Sequence, residues 1–426
     1  MKQSQTNQNQ GISRRSFIKT TAAGLIATAS VSAVKSATAQ NNRLGIGIIG
    51  CGGRGTHLSQ AVKYLQDNDK TVQFKAFCDI YRPRLDKLAD IYGGKKYMDY
   101  RELLNDKEVD VVIIATPDHH HARQTIEAVK AGKHVYCEKP MTHWTQWELA
   151  KQMTEAVKQS DCVFQIGTQA MSDSVWKQMK ELVEQGKIGQ PVHVECGYFR
   201  LGDWGERGMP IDDPNAKPGP DLNWDAFLED APKREFDVSR FFRWRMYADY
   251  AGGMSTDLYP HILTPVVYTI GVHMPKIVVG IGGKLRYEER EIPDTFDMLI
   301  NYNNKTDLAL LGTQANEYQG TALRGQNRVP VIRGWEGTLT INEEDIVYWP
   351  AKALKTQNPE RIPIQKGENL TDYLRSFIDC CMRKDKNTLS PIDMAFEVQT
   401  TLIMGMLSWK DSKMYTYEEG KGPIAL

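Results

Sequence analysis

The stretch from Leu44 to Gly55, LGIGIIGCGGRG, constrains the fold of this chain more than any other. It begins with a run rich in isoleucine, which is typical of a buried strand. Glycines follow at the spacing G-x-G-x-x-G, and the next residues place apolar side chains at helical intervals. The order strand, glycine turn, helix predicts a dinucleotide site whose pyrophosphate lies at the helix N-terminus. The residues predicted to form this turn are Gly50, Gly52, Gly53, Arg54 and Gly55.

The end of the next predicted strand, Val72–Cys78, carries a carboxylate. Asp79 lies 24 positions after Gly55 (79 minus 55). A carboxylate at this tip can accept hydrogen bonds from the adenosine ribose hydroxyls and repels a 2′-phosphate. The pattern therefore favours NAD over NADP, although Arg82 lies near enough to weaken that preference. The alternative is that Asp79 is only a solvated turn residue.

The N-terminal residues resemble an export signal and not a folded segment. Ser13 to Lys19 reads SRRSFIK, an alanine-rich apolar run follows from Ala22 to Val34, and Ala37-Thr38-Ala39 is an A-x-A cleavage pattern. The apolar run is too short and too weakly apolar for a stable membrane span. We predict a twin-arginine signal over residues 1–39, recognised by the twin-arginine export machinery, and a periplasmic mature protein with its nucleotide loaded before export. A disordered basic tail is the alternative.

Charge and cysteine content exclude several classes of protein. Lys plus Arg and Asp plus Glu both number 53, so no net charge favours nucleic acid as a partner. The 7 cysteines are odd in number, form no C-x-x-C and lie mostly in apolar runs, which predicts buried thiols and neither a disulfide framework nor a zinc site.

Residues 40–167 alternate predicted strands and helices, which is typical of a parallel sheet with helices on both faces, a Rossmann domain. The predicted strands are Gly45–Ile49, Val72–Cys78, Val109–Ala115, His134–Cys137 and Cys162–Ile166, and the predicted helices include Arg82–Tyr92, His119–Ala131 and Thr145–Lys158.

Two further motifs follow strands of this sheet, where ligands bind. The first is Thr116-Pro117-Asp118-His119-His120-His121. Adjacent histidines point in different directions, so we predict no metal and a loop that lines the nucleotide, supported by His121. The second is Glu138-Lys139-Pro140, whose lysine can reach the reactive ring of the cofactor. For Lys139 the alternative is an exposed turn residue.

Residues 168–426 follow a different pattern. Predicted strands at 192–199, 276–287, 297–302, 307–312 and 337–341 lack alternating helices, which predicts an α+β domain with a mostly antiparallel open sheet. The polar segment Leu201–Arg240 is predicted to be a long loop. Asp257 and His261 follow Gly252-Gly253 and stand four residues apart, so on a helix they share a face and can form an acid/base and orienting pair. A surface pair at the same spacing is the alternative.

Together the glycine turn, the Thr116-Pro117 loop with His121 and the Glu138-Lys139-Pro140 triplet resemble the Gfo/Idh/MocA family of sugar and inositol oxidoreductases, over nearly the whole mature chain. The resemblance implies that Lys139 is the catalytic lysine beside the nicotinamide, with Asp257 and His261 facing it across a cleft. It implies a carbohydrate or polyol substrate and NAD as the cofactor, and the predicted export of the folded protein implies that this NAD is tightly held. Tyr259 and Pro260 are less usual for the family and would reshape the pocket.

Two rival functions remain at this point. One is an exported glycosidase that uses bound NAD transiently, oxidising a sugar, eliminating the aglycone and restoring the hydroxyl. Export favours it, and the intact Glu138-Lys139-Pro140 triplet disfavours it. The other is a non-catalytic sugar-binding protein, which the set Lys139, Asp257 and His261 disfavours. An exposed face of the second sheet would suit a homo-oligomer.

Overall fold

The computed structural model describes residues 43–202, 208–303, 305–318, 327–342, 344–352 and 358–426. The predicted twin-arginine signal, residues 1–39, lies outside the described residues. Among the helices of the described ranges, none combines the length and the apolar character needed to cross a membrane.

The first sheet has six parallel strands in the order β3-β2-β1-β4-β5-β6. The order reverses between β1 and β4, and this opens a crevice at the carboxyl ends of the two strands. Strand β4 is buried along its whole length and β1 is buried from its second residue onward, because helices cover both faces. These features confirm the predicted Rossmann domain. The strands are β1 Leu44–Ile49, β2 Val72–Cys78, β3 Lys95–Tyr97, β4 Val111–Ile114, β5 His134–Glu138 and β6 Phe164–Gly167.

Five helices belong to this half of the chain. Helix α2 has the predicted bounds, and a proline in its first turn fits the start of a helix. The helices are α1 Gly53–Tyr64, α2 Arg82–Tyr92, α3 Tyr100–Asn105, α4 His121–Lys130 and α5 Trp147–Gln159.

The second sheet has ten strands within the described residues, in the order β14-β13-β12-β11-β7-β10-β9-β8-β15-β16. Among the strand pairs of the described residues, β7 and β10 alone are parallel and the others are antiparallel, so the predicted α+β class is confirmed. The strands are β7 Pro191–Phe199, β8 Ile277–Gly283, β9 Thr295–Tyr302, β10 Thr306–Thr313, β11 Asn327–Gly334, β12 Gly337–Asn342, β13 Asp345–Pro350, β14 Glu360–Pro363, β15 Tyr415–Glu418 and β16 Gly422–Ala425.

Two predictions about this half were wrong in their bounds. The strand predicted to reach Tyr287 ends at Gly283, because the backbone N–H groups of residues 285, 286 and 287 donate to the carboxylate of Asp294 and not to a neighbouring strand. The predicted loop Leu201–Arg240 contains the short helix α7 Trp224–Leu228 and the first residues of the short helix α8 Val238–Phe242. Asn223 and Asp237 accept hydrogen bonds from their first turns, which is why helices begin there.

Helices α6 Ser174–Glu184, α9 Pro260–Ile270 and α11 Ile392–Asp411 contribute to the hydrophobic core of the second sheet. Helix α10, Leu370–Arg383, instead packs on the first sheet, where Tyr373 and Phe377 lie in one cluster with Ile46 and Tyr136. The Tyr373 hydroxyl donates to the carbonyl oxygen of Ile166 at 2.6 Å. The predicted domain boundary between residues 167 and 168 stays a prediction.

Residues 208–230, which we call the strap, run across the carboxyl end of the first sheet. Leu222, Trp224 and Phe227 form an aromatic-rich cluster with Tyr81 of the Rossmann domain and with Phe242 of α8. The strap is thereby held against the crevice between β1 and β4.

Candidate active site

The glycine turn has the geometry that a bound pyrophosphate needs. Gly50 directly follows β1 with a φ of 93°, and an added Cβ would lie 2.7 Å from the Ala115 carbonyl oxygen. A Cβ at Gly55 would lie 1.9 Å from the Gly50 carbonyl oxygen, so only glycine lets α1 approach β1. Gly53 has open space on its Cβ side. The turn therefore presents bare backbone at the N-terminus of α1, which fits a dinucleotide phosphate.

Asp79 lies at the tip of β2 and braces this turn. One carboxylate oxygen accepts from the Cys51 N–H at 2.7 Å, and the other accepts from the Tyr81 N–H at 2.8 Å. Burial raises the pKa of Asp79, and the nearby Arg84 guanidinium opposes that effect. Each oxygen keeps a lone pair for a ribose hydroxyl. Arg82 forms an ion pair with Asp221. Arg82 does not line the cleft that contains the glycine turn and Asp79.

His121 lies behind the Thr116-Pro117 loop. Its Nδ1 is 2.6 Å from the Pro140 carbonyl oxygen, and its Nε2 is 2.8 Å from the Thr116 carbonyl oxygen. The imidazole thus joins the loop after β4 to the loop after β5, and burial lowers its pKa to about 4. His121 therefore connects two loops that line the cleft.

Two neighbouring histidines and His143 bind other parts of the chain. His119 Nε2 lies 2.8 Å from the Phe227 carbonyl oxygen, and His120 Nδ1 lies 2.8 Å from Glu229, so both hold the strap. His143 lies 2.9 Å from the Ala248 carbonyl oxygen. Within the described ranges no group of three or more potential ligands could hold a metal ion.

Arg54 and Glu138 form an ion pair at 2.7 Å, which connects the glycine turn to the end of β5. The same Glu138 oxygen accepts a hydrogen bond from the Tyr136 hydroxyl, and Arg54 also donates to Gln169. Both ends of the pair line the cleft. The pair sets the position of the backbone from which Lys139 projects.

Lys139 and Asp257 meet across the cleft. The Lys139 ammonium donates to the Asp257 carboxylate at 2.6 Å and to the Asp257 carbonyl oxygen at 2.7 Å, and Arg245 donates to the same carboxylate oxygen at 3.3 Å. The Lys139 and Asp257 side chains are 11% and 7% exposed. Burial alone would raise the pKa of Asp257, but Lys139 and Arg245 hold it well below its usual range. The carboxylate is therefore ionised and fixes the ammonium in place.

His261 lies one helical turn beyond Asp257, in the first turn of α9. Burial and the nearby Lys139 charge lower its pKa to about 3, so the imidazole is neutral at physiological pH. A neutral imidazole offers a nitrogen lone pair that can accept a proton. The Tyr198 ring, 6.5 Å from the His261 ring, forms part of the adjoining wall.

These groups share one cleft of about 1180 Å³. Of the predicted site residues, Gly55 and His121 do not line the cleft but lie behind its lining residues. All the other predicted site residues line the cleft. Those that line it are Gly50, Gly52, Gly53, Arg54, Asp79, Thr116, Pro117, Glu138, Lys139, Asp257 and His261.

Sequence reasoning missed several residues of this site. Arg84, Arg200 and Arg245 line the cleft, and no spacing in the sequence connects them to the glycine turn or to Lys139. Asp118 is 1% exposed, and its Oδ2 has no hydrogen-bond partner within the described part of the chain. Burial and the charge of Asp257 raise the pKa of Asp118 well above its usual range.

The buried histidines make stability depend on pH. Burial lowers the pKa of His121 and of His143 to about 4, against about 6.5 in an unfolded chain. Their contribution to stability is complete above pH 6.5 and is lost as the pH falls toward 4, because only the unfolded state takes up the protons. We expect the free energy of unfolding to fall by about 1.4 kcal/mol per pH unit for each histidine in this window.

Urea unfolding at a series of pH values between 7.5 and 4.5 measures this slope. His143→Gln should reduce this slope, because the buried imidazole whose pKa is lowered is then absent. A free energy of unfolding that stays constant from pH 7 to pH 5 would contradict the expectation.

Two family models match the chain. An oxidoreductase family with an NAD-binding Rossmann fold matches residues 44–168, and the C-terminal alpha/beta domain of that oxidoreductase family matches residues 172–340. Together these matches span more than half of the sequence.

Individual relatives match shorter parts. An inositol 2-dehydrogenase of Salmonella typhimurium (strain LT2) is 35% identical over 158 residues, which are 37% of this chain and 44% of that protein. A glycosyl hydrolase family 109 protein of Shewanella baltica (strain OS185) is 28% identical over 225 residues, 45% of this chain and 47% of that protein. The chain thus matches less than half of the length of each of these two relatives.

Solved structures share the fold over most of the chain. Levoglucosan dehydrogenase in complex with NADH and levoglucosan has a TM-score of 0.66 at 19% identity, covering 87% of this chain and 98% of that one. The WlbA dehydrogenase of Chromobacterium violaceum, in complex with NADH and UDP-GlcNAcA, has a TM-score of 0.67 at 17% identity, covering 89% and 97%. At these identities the likeness concerns the fold.

Proposed function

Because the chain belongs to the Gfo/Idh/MocA oxidoreductase family, we propose that it is an NAD-dependent oxidoreductase acting on a CH–OH group of a sugar, sugar derivative or polyol. One observation carries this proposal: the 2.6 Å contact of Lys139 with Asp257, one turn from His261, lies in the same cleft as the glycine turn. A proton acceptor and a cation are thus held beside a nucleotide cradle.

In the proposed reaction NAD, when bound, supplies the acceptor for a hydride. Neutral His261 takes the proton of the substrate hydroxyl. The Lys139 ammonium donates a hydrogen bond to the oxygen as negative charge develops there. Asp257 holds the Lys139 ammonium in the orientation needed to reach the substrate oxygen. The Arg54–Glu138 ion pair fixes the position of the backbone before Lys139. The protein contributes position and charge, while the cofactor contributes the redox chemistry.

A tightly held cofactor is part of this proposal. Free NAD is scarce outside the cytoplasm, and the strap covers the crevice in which the nucleotide would lie.

The same features support the second candidate, an NAD-dependent glycosidase acting by transient oxidation and elimination. The match to a glycosyl hydrolase family 109 protein is the observation that favours it.

One set of assays separates the two functions. The purified mature protein is analysed by mass spectrometry for retained nucleotide, and reduction of that nucleotide by a panel of sugars and polyols is followed by absorbance. A nitrophenyl glycoside without added NAD tests the glycosidase. We expect reduction of bound NAD and no release of nitrophenol. Nitrophenol release without net reduction would favour the glycosidase, and the absence of both would refute the proposal.

We also propose that the protein is exported by the twin-arginine pathway and works in the periplasm. Replacing Arg14 and Arg15 with lysines should leave the full-length precursor in the cytoplasm, because the pathway reads the arginine pair. Cell fractionation and immunoblotting detect the two forms. Mature protein in the periplasm of cells that make the lysine variant would show this reading to be wrong.

A homo-oligomer is a further part of the proposal. Ile281 of β8 and Leu299 of β9 are 70% and 61% exposed on one face of the second sheet, and a second copy of the chain could cover these apolar side chains. Sedimentation velocity of the mature protein should give a mass above that of one chain, and a monomer at micromolar concentration would contradict this.

A further inference from the structure

The strap forms part of the wall around the adenosine end of the proposed nucleotide site. Its backbone is bonded to the residues that follow β2: the Arg82 N–H donates to the Asp221 carbonyl oxygen, and the Asn223 N–H donates to the Ile80 carbonyl oxygen. Asp212 and Asn223 of the strap line the same cleft as Asp79. The strap is therefore fixed beside the position where a ribose would be read.

Two ion pairs of the same chemical type join the strap to α2, but they face different surroundings. Arg84 pairs with Asp212 at 2.6 Å, and both residues line the cleft. Arg82 pairs with Asp221 at 2.7 Å, and neither residue lines it. The side chains of the second pair are also more exposed, 43% and 69% against 21% and 34%.

The Arg84 guanidinium has a fixed position between two carboxylates. It stacks over the Phe242 ring at 5.1 Å from the ring centre, and its Nη1 lies 3.3 Å from the point where a Gly52 Cβ would stand. The charges of both Arg84 and Asp212 act on the carboxyl group of Asp79. Thus a cation that could hold a 2′-phosphate is already bound by an acid of the strap.

We propose that Asp212 is a cofactor-specificity residue: by binding Arg84 it removes the cation that a 2′-phosphate would need and adds a second carboxylate beside Asp79. This inference rests on the proposed NAD site and deepens it. Asp79 alone leaves the selectivity to one carboxylate and one nearby arginine, which have opposite effects on a phosphate. Because Asp212 of the strap neutralises the Arg84 charge, the Asp79 carboxylate dominates and the site favours NAD.

The test is Asp212→Asn, which keeps the size of the side chain and removes its charge. The full mature protein is equilibrated with an equal mixture of NAD and NADP, and the bound nucleotides are extracted and quantified. We expect the bound ratio of NADP to NAD to rise roughly tenfold or more, the size of one charge-assisted hydrogen bond. Asp221→Asn is the matched control and should leave the ratio unchanged.

A second variant shows whether the effect passes through Arg84. Adding Arg84→Met to Asp212→Asn should remove most of the gain in NADP, because the released guanidinium is then absent and only the loss of the Asp212 negative charge still favours NADP. An unchanged ratio in Asp212→Asn, or an equal rise in Asp221→Asn, would overturn the inference while leaving the proposed function intact. Wild-type protein that binds neither nucleotide would overturn the proposed function and the inference together.

Discussion

Replacing Lys139 with alanine should lower turnover by roughly 10²-fold or more, the effect of losing one group that stabilises charge in the transition state. The ammonium lies 2.6 Å from Asp257 and is positioned to donate to a developing alkoxide. Interactions of this kind act on kcat and not only on affinity. NAD binding should persist, because the glycine turn and Asp79 are unchanged.

Single-turnover reduction of bound NAD measures this effect on whichever sugar or polyol the wild type oxidises. His261→Ala should behave alike, and the double variant should lose less than the product of the two, because both groups serve one proton transfer. Lys133→Met is a suitable control: this buried lysine donates to the Asp106 and Val109 carbonyl oxygens, away from the cleft. A Lys139→Ala variant that turns over at the wild-type rate would show that the active site lies elsewhere.

Replacing Asp257 with alanine should destabilise the fold as well as impair the reaction. The change leaves the Lys139 and Arg245 charges in a buried site without their shared carboxylate. Removing one partner of a buried ion pair costs about 3–5 kcal/mol. Asp221→Ala breaks an exposed pair of similar length and should cost about 1 kcal/mol or less.

Urea unfolding at neutral pH compares the two variants. Asp257→Asn, which keeps an oxygen acceptor, should recover part of the stability but not the turnover, because it no longer fixes the ammonium by charge. Equal stability of Asp257→Ala and Asp221→Ala would contradict the burial of this pair.

The Rossmann half was predictable because its strands are buried on both faces and therefore appear as continuous apolar runs. The predicted helix at Arg82–Tyr92 has the observed bounds. The short strand Lys95–Tyr97 escaped prediction, since its two exposed lysines carry no apolar pattern. In the second half β13 to β16 are strands of four to six residues at the ends of the sheet, too short for an alternation to stand out.

The site was predictable where its chemistry is local in sequence. The spacing of Asp257 and His261 on one helical face is such a case, and so is the glycine turn. The pairing of Arg84 with Asp212 joins residues 128 positions apart, and Arg245 reaches Asp257 only through the fold. Such pairs depend on how the strap lies across the sheet, which no local pattern encodes.

The packing of α10 on the first sheet has a consequence for the order in which the protein can be made. Tyr373 and Phe377 contact Tyr136, a residue synthesised more than 200 positions earlier. While the chain is still emerging from the ribosome, that surface of the nucleotide domain has no cover. The nucleotide domain is therefore complete only near the end of translation, and a nascent chain that ends before Leu370 should depend on chaperones to stay soluble.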